Sequence, residues 1–485
     1  MSKTEDKLRA ELDEKEFKFA NFNFENLIFE GAGCQILAYL GALRVLKRAG
    51  ILQKIKRFAG TNTGSIIALL LAISGDLSWL DEFKNFDFSY MMEDAFLGKA
   101  SIPLNLLAHY GWHPASNFET WIRSKCLQYL GSERVTFAKL FELTERELCV
   151  VVVSLNRCCE YYCHVKTTPD ADICTAVRMS ISSPGIFQSV RSRLIGQNCE
   201  YFVDGALICN YPIHAFDGWW LSLKNEDNFF SKLSDIENNP AITSGMERFK
   251  GRNNKSLGMK IFNSLKADIG RRIYEQRIID YDRVVVVRPN TVLATNYNRF
   301  ERFQRKQQEE CKVMRKAISE FLRVLADNNY DHDTSRISLE ELTYSLNHLS
   351  KEAGEILFDK NYSPTSVMYM LDKNCDGYIS YSELIKFCEK KGVNLMQAAV
   401  SVPHSQITDL ASFFRRCFET VTVNLFRLFE SSDDSNRTIG INADYIEGRT
   451  YQLAADDRKF LIERGAQAAR VYLRYCRGTN TVHES

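Results

Sequence analysis

The chain has 485 residues, of which 45% are hydrophobic and 12% aromatic, with 62 Lys and Arg against 61 Asp and Glu. This composition excludes a disordered chain and predicts a globular protein of one to three domains. The net charge of +1 excludes a whole-chain attraction to nucleic acid, so we expect no nucleic-acid partner.

The N-terminal stretch, residues 1–22, is charged and predicts a helix without the apolar core of a secretion signal. The longest apolar runs, such as Ile66–Ile73, are far shorter than the roughly 20 residues that a membrane-spanning helix needs. The 14 cysteines are scattered and lack CxxC pairs at zinc spacing, which favours reduced thiols. We therefore expect a cytoplasmic protein that is at most peripheral to a membrane.

Two strand, glycine-turn and helix units follow. The first runs from the apolar stretch Asn26–Phe29 through Gly31–Gly33, and the second from Ile55–Ala59 through Gly60–Gly64. Each turn leads into an apolar helical segment, and this alternation predicts βαβ units and a largely parallel sheet.

Two more strands are predicted at Leu148–Val153 and Tyr201–Val203, the latter ending at Asp204. Functional groups in open α/β sheets lie at the carboxyl ends of the strands. Asp204 is therefore a candidate site residue.

The turn Gly60–Gly64 reads GTNTG. A tight strand-to-helix turn of the type GxSxG lifts a serine nucleophile above the sheet. Asn62 stands at the serine position, and a carboxamide has no readily ionised oxygen with which to attack an acyl group. The pattern predicts the geometry of a nucleophile elbow without its chemistry.

Four ordered blocks resemble the patatin-like phospholipase family, whose members hydrolyse acyl esters with a Ser-Asp dyad. The blocks are FEGAGCQILAYLGAL (Phe29–Leu43), GTNTG (Gly60–Gly64), AVRMSISSPGIF (Ala176–Phe187) and VDGALICNYPI (Val203–Ile213). The resemblance implies a patatin-like three-layer α/β/α fold with a mostly parallel central sheet. It also implies that Asp204 is the dyad aspartate and that Asn62 replaces the nucleophile. Ser65 is a poor substitute, because it should point away from the elbow.

The family's oxyanion turn is altered as well. In the family, this turn has three glycines, one further residue, Arg or Lys, and another glycine. An oxyanion hole requires backbone N–H groups about 3 Å from the developing charge, so a branched Ile36 should crowd that approach, and Gln35 lacks the positive charge. The corresponding residues here are Gly31, Ala32, Gly33, Cys34, Gln35 and Ile36.

The resemblance also reaches the C-terminal part, where Arg437–Ile441 and the segment around Tyr472 match the closing strand and helix. It implies an insertion, which carries a long amphipathic helix; the apolar stretch Val284–Val287 is either part of it or a further sheet strand. The predicted divisions are an N-terminal helix 1–22, a patatin-like part 23–263, an insertion 264–404, a closing patatin-like part 405–476 and a tail 477–485.

Residues 372–383 fit the twelve-residue EF-hand calcium loop, with oxygen ligands at positions 1, 3, 5, 7, 9 and 12 and glycine at position 6. Gly377 would permit the sharp turn, and Ile379 should pair with a partner loop. Helices are predicted on both sides of the loop. The expected Ca²⁺ ligands are Asp372, Asn374, Asp376, the Tyr378 carbonyl, Ser380 and bidentate Glu383.

An upstream loop around Asp331 resembles a degenerate partner EF-hand, although its register does not close. Placing Ile337 at the apolar position puts Tyr330 at the first ligand position, whereas starting at Asp331 puts Leu342 at the last. We expect a structural partner that does not bind metal.

Three functions fit these features. The favoured one is a non-hydrolysing patatin-like protein that binds a lipid, an acyl chain or a protein partner under calcium control, with contact to a membrane surface as a variant. The second is an active calcium-linked phospholipase of the Ser-Asp type, with Asn62 as a variant of the nucleophile. The third is a purely structural role.

Overall fold

The computed structural model describes most of the chain. Outside the described residues lie 1–10, 18–19, 21, 93, 95–101, 195–197, 235–236, 238–244, 264–269, 283, 329–335, 392–406, 484–485 and a number of residues between 410 and 430. The described chain divides into two compact units, Met1–Thr291 with Ile407–Ser485, and Val292–Gln406.

The apolar runs of the first unit form one central sheet with the strand order β12-β9-β1-β2-β4-β8-β7, and β5 also pairs with β4. The strands in chain order are β1 Asn26–Phe29, β2 Arg57–Thr61, β3 Gly111–His113, β4 Glu147–Ser154, β5 Cys159–Cys163, β6 Gly185–Phe187, β7 Val190–Ser192, β8 Glu200–Asp204, β9 Ser256–Phe262, β10 Arg336–Ile337, β11 Ile379–Ser380 and β12 Thr438–Asn442.

The five strands from β12 to β4 run parallel to one another, and β5, β7 and β8 add antiparallel pairings at one side. Every residue of β1 and β9 is buried, so both faces of the sheet centre are covered, as is typical of parallel sheets flanked by helices. This is the predicted patatin-like α/β fold with a mostly parallel central sheet.

Helices of the first unit connect and cover these strands. The C-terminal helix packs along Leu37–Arg48, and Thr63–Ser74 packs against β2 and β4. The helices are Leu37–Arg48, Thr63–Ser74, Leu80–Lys84, Ile102–His109, Ser116–Leu130, Phe137–Thr144, Ile173–Ser180, Phe229–Leu233, Arg271–Tyr281 and Ala455–His483.

Two sequence expectations concern the borders of this unit. Of the charged stretch 1–22, residues 11–17 are helical, and residues 1–10 lie outside the described part. The apolar stretch 284–287 has no strand assignment, and its valines at 284, 285 and 287 are exposed. The alternative of a further sheet strand there is therefore wrong.

The second unit is built on a separate hydrophobic core that includes Phe321, Leu342, Leu357, Val367 and Ile379. This unit, residues 292–406, overlaps the insertion expected at 264–404 but begins later in the chain. The helices are Val292–Asn328, Leu339–His348, Lys351–Phe358, Pro364–Leu371 and Tyr381–Lys390.

Candidate functional site

Asn62 occupies the sharp turn between β2 and the helix Thr63–Ser74, with φ 52° and ψ −132°. A positive φ is costly for a residue with a side chain, and this φ, ψ pair lies outside the left-handed helical region in which asparagine is common. A Cβ at Gly60 would lie 2.5 Å from the Gly64 carbonyl, and one at Gly64 would lie 2.6 Å from the Glu30 carbonyl oxygen. The two glycines therefore allow the close packing that holds the elbow.

Both polar ends of the Asn62 side chain are engaged. Its Nδ2 donates to Asp204 Oδ2 at 2.5 Å, and its Oδ1 accepts from the Thr63 backbone N–H at 2.6 Å. The Asn62 backbone N–H donates to Ser180 Oγ at 2.9 Å. The carboxamide thus lies where an elbow nucleophile would lie, but as a donor to the aspartate.

Asp204 reaches this point from the antiparallel strand β8, in which it pairs with Val152 of β4. Its side chain is buried, and it accepts from the Ala206 backbone N–H at 2.9 Å and from Ser183 Oγ at 2.5 Å. Burial raises the pKa of Asp204 to about 6, although these hydrogen bonds and the one from Asn62 oppose the shift. The site holds a carboxyl group that ionises close to neutral pH.

The oxyanion turn lies beside the elbow, since a Cβ at Gly31 would lie 2.7 Å from Asn62 Cβ. Its amides, however, are used within the protein. The Ala32 N–H donates to Thr63 Oγ1 at 3.1 Å, and the Gly31 N–H donates to the Asn210 carbonyl at 3.2 Å. These two N–H groups already have partners and do not wait for a substrate oxygen.

A C-terminal segment, Ile446–Gly448, lies against the same turn. The Cys34 N–H donates to the Gly448 carbonyl at 2.9 Å, and Gln35 Nε2 donates to the Ile446 carbonyl at 2.6 Å. Gln35 is buried by this contact, in a position where the resemblance implies a cation. Ile36 is fully buried in the core.

Sequence reasoning missed three polar residues of this site: Ser180, Ser183 and Asn210. Ser180 and Ser183 fall within the third resembling block, AVRMSISSPGIF, and their place in that block was the only available sign. Asn210 donates to the Gly31 carbonyl at 2.8 Å. Ser65, by contrast, is buried, and its Oγ donates to the Asn62 carbonyl, away from Asp204 as expected.

In the second unit, residues 372–380 connect the helices Pro364–Leu371 and Tyr381–Lys390, and the last three residues of the predicted calcium loop form the start of the second helix. Asp372 Oδ2 accepts from the Gly377 N–H at 3.0 Å, and Gly377 has φ +82°. Ile379 pairs with Ile337 in the antiparallel β10–β11 ribbon. The loop therefore has the turn and the partner strand that its sequence predicts.

Glu383 closes this loop on itself. Its Oε1 accepts from the backbone N–H of Lys373 at 2.8 Å and of Asn374 at 3.3 Å, and its Oε2 accepts from the Ser380 N–H at 2.9 Å. The Ser380 amide and hydroxyl contribute most to lowering the pKa of Glu383, to about 2. The carboxylate is thus ionised across the neutral range.

The remaining predicted ligands lie around the loop. Asp376 Oδ1 accepts from the Tyr378 N–H, and Asn374 Oδ1 accepts from the Asp376 N–H. Asp372 Oδ1 is buried and has no hydrogen-bond partner among the described residues. Within the same residues, no group of three or more His, Cys, Asp or Glu side chains is gathered closely enough to hold a metal ion.

The upstream loop around Asp331 lies mostly outside the described residues, which resume at Arg336. Ser338 and Glu341, further along, form the capping box of the helix Leu339–His348. Whether Asp331 binds metal stays a prediction.

Comparison with known proteins shows what the part of the chain around the first of these sites is similar to. Residues 27–217 match the patatin-like phospholipase family. The "Probable lipid hydrolase 463L" of Invertebrate iridescent virus 6 is 28% identical over 199 residues, 39% of this chain and 62% of that protein. The uncharacterized protein YqhO of Bacillus subtilis is 28% identical over 209 residues, 39% of this chain and 65% of that protein. The match thus spans a little under two thirds of each relative's length.

Among solved structures, VipD from Legionella pneumophila aligns over 93% of this chain and 67% of its own, with 13% identity and a TM-score of 0.40. Full-length ExoU from Pseudomonas aeruginosa, solved with SpcU, aligns over 86% of this chain and 88% of its own, with 13% identity and a TM-score of 0.26. No described helix of the present chain is long and apolar enough to cross a membrane.

Proposed function

Because residues 27–217 match the patatin-like phospholipase family, we propose that the site around Asn62 and Asp204 binds an acyl lipid without the hydrolysis at residue 62 that the family's nucleophile would perform. One observation carries the proposal. The Asn62 carboxamide fills the elbow and bonds Asp204 and Thr63 through its two ends, so residue 62 supplies no nucleophile.

The oxyanion turn supports the same conclusion. The amides of Ala32 and Cys34 bond Thr63 Oγ1 and the Gly448 carbonyl. A substrate oxygen would have to displace these partners before the turn could stabilise its charge, and that displacement would cost part of the stabilisation.

Lipid binding is tested by native mass spectrometry of the full chain with a phospholipid and with a long-chain fatty acid. We expect a stoichiometric complex of protein and lipid and no multiple-turnover hydrolysis of the phospholipid. The elbow can be closed further with Gly31→Leu, since even a Cβ at residue 31 would meet Asn62, and this variant should lose the complex. Absence of a complex in the wild-type protein would contradict the proposal.

We propose in addition that the loop 372–383 binds Ca²⁺. The buried Asp372 Oδ1 has no hydrogen-bond partner among the residues described. This oxygen and the ionised Glu383 suit a hard cation that prefers oxygen ligands. Asp372, Asn374, Asp376, the Tyr378 carbonyl, Ser380 and Glu383 would hold it. Because the Glu383 oxygens now accept loop amides, binding requires a rearrangement of this side chain.

Calcium control of the lipid site is the last part of the proposal. The calcium-loop unit, residues 292–406, is joined to the patatin-like unit at both of its ends. A conformational change of this unit on Ca²⁺ binding can therefore act on the patatin-like unit through two junctions. Hydrogen exchange of the patatin-like unit should differ between calcium and chelator. If calorimetry shows calcium binding but hydrogen exchange is identical with calcium and with chelator, calcium control is contradicted. The proposal of lipid binding would not be affected.

A further inference from the structure

Ser183 is a second hydroxyl at the Asp204 carboxylate. Its Oγ lies 2.5 Å from Asp204 Oδ2 and 3.4 Å from Asn62 Nδ2. The neighbouring Pro184 is exposed, and Ser183 itself is only partly buried, so part of Ser183 is open to solvent.

The two serines before it are placed differently. Ser180 and Ser182 are fully buried. The Ser180 hydroxyl donates to the Val151 carbonyl at 2.7 Å, and the Ser182 hydroxyl donates to the Arg178 carbonyl at 2.7 Å. Of these three neighbouring hydroxyls, Ser183 alone is directed at a carboxylate.

Asp204 has the properties of a proton acceptor for this hydroxyl. Burial raises its pKa to about 6, so it is mostly ionised at neutral pH and is more basic than an exposed carboxylate. A serine hydroxyl becomes a nucleophile when an adjacent base takes its proton.

We propose that Ser183 is the acyl acceptor of this site, with Asp204 as its base and the Asn62 carboxamide as donor to the substrate's carbonyl oxygen. The proposal rests on the acyl-lipid binding proposed above and adds a covalent step. It assigns the lost nucleophile's task to a residue outside the GTNTG turn.

The step balances as follows. The Ser183 Oγ–H proton passes to Asp204 while Oγ forms a bond to the carbonyl carbon of an acyl ester or thioester. The bond from that carbon to the leaving oxygen or sulphur breaks, and the proton passes from Asp204 to the leaving group. The products are acylated Ser183 and a free alcohol or thiol.

Asn62 fits the role of oxyanion donor. Carboxamide N–H groups serve this purpose in other acyl-transfer sites. One Nδ2 hydrogen donates to Asp204 Oδ2, and the second donates to Ser183 Oγ in a long hydrogen bond of 3.4 Å, which attack by Ser183 would release. A carbonyl under attack by Ser183 would place its oxygen within reach of that second hydrogen.

The test uses a fluorophosphonate probe, which phosphonylates activated serine hydroxyls with loss of fluoride. The full-length wild-type protein is incubated with the probe, and the modified residue is located by peptide mapping. We expect one probe per chain, on Ser183. The site-specific labelling should vanish in Ser183→Ala and slow at least roughly tenfold in Asp204→Asn, because the base is lost.

Ser182→Ala is the matched control, since it removes the adjacent hydroxyl, which faces Arg178, and should label like the wild type. Thermal unfolding shows whether each variant is folded. If Asp204→Asn does not fold, Asn62→Ala supplies the second variant, and it should slow labelling because the oxyanion donor is lost. Labelling at another residue would overturn the proposal. So would labelling of Ser183 at the wild-type rate in folded Asp204→Asn and Asn62→Ala.

Lipid binding measured by native mass spectrometry separates the two proposals. A wild-type protein that binds lipid but is not labelled at Ser183 contradicts the acyl-acceptor role alone. A protein labelled at Ser183 that binds no lipid contradicts the proposed function and leaves the nucleophile assignment in place.

Discussion

The elbow at Asn62 and the loop at Asp372 have each kept the backbone geometry of their motif, but they differ in their side chains. At the elbow Asn62 stands where the GxSxG pattern has serine, and its side chain is hydrogen-bonded to Asp204, Thr63 and Ser183. At the loop every expected ligand type is present, and one buried carboxylate oxygen of Asp372 has no hydrogen-bond partner within the part of the chain that the structure describes. A motif can therefore keep its backbone while its side chains make other hydrogen bonds, and the buried Asp372 oxygen is the observation that favours the proposed calcium site.

The largest expected effect concerns the loop. Glu383→Gln removes the only bidentate carboxylate of the proposed calcium set, and we expect Ca²⁺ affinity measured by calorimetry to fall at least about 100-fold, since even losses outside the ligand shell cost 10–100-fold. Glu389→Gln is the matched control, because this exposed glutamate lies on the same helix. Equal Ca²⁺ affinities of the two variants would contradict the assignment of Glu383 as a calcium ligand.

The second effect concerns the buried carboxyl group of the elbow. The folded-state pKa of Asp204, about 6, lies above its ordinary value, so the folded protein binds more protons than the unfolded chain between roughly pH 4 and 6. Ionisation of Asp204 then costs stability as the pH rises through this window.

Asp204→Asn removes that cost. Relative to this variant, the free energy of unfolding of the wild type should fall by about 2 kcal/mol between about pH 4.5 and pH 7. Chemical denaturation of both proteins at several pH values measures the difference. A constant difference would mean that Asp204 is not held in a desolvated state.

The smallest effect concerns the turn covered by Ile446–Gly448. Gly33 has φ +56°, and a Cβ there would lie 2.0 Å from the Gly448 carbonyl oxygen. Gly131 also has a positive φ, +73°, but a Cβ there would meet nothing within 4 Å. Gly33→Ala should therefore destabilise the protein by roughly 1–2 kcal/mol more than Gly131→Ala in thermal or urea unfolding. Equal losses would indicate that the segment is not packed on the turn.

Local patterns predicted the elements of both regions well. The apolar runs before GTNTG and before Asp204 became β2 and β8, because continuous apolar stretches suit a sheet covered on both faces. The helices on either side of the calcium loop and the pairing of Ile379 also follow from local spacing.

Contacts between distant segments were not predictable in this way. Ser183 meets Asp204, and Gln35 meets Ile446, only because the sheet order brings their strands and turns together. No spacing in the sequence encodes these pairs. The partner of the Ala32 amide, Thr63 Oγ1, is likewise a result of packing between two turns.

Turnover by the wild type and by Asn62→Ser, assayed side by side with a phospholipid and an acyl thioester, tests the central claim most directly. Restoring a hydroxyl at residue 62, next to Asp204, should raise multiple-turnover hydrolysis by on the order of 100-fold over a wild type at background. Asn62→Ala, which adds no nucleophile, should stay at background. Wild-type hydrolysis that equals or exceeds that of Asn62→Ser, and that survives Ser183→Ala, would contradict the account.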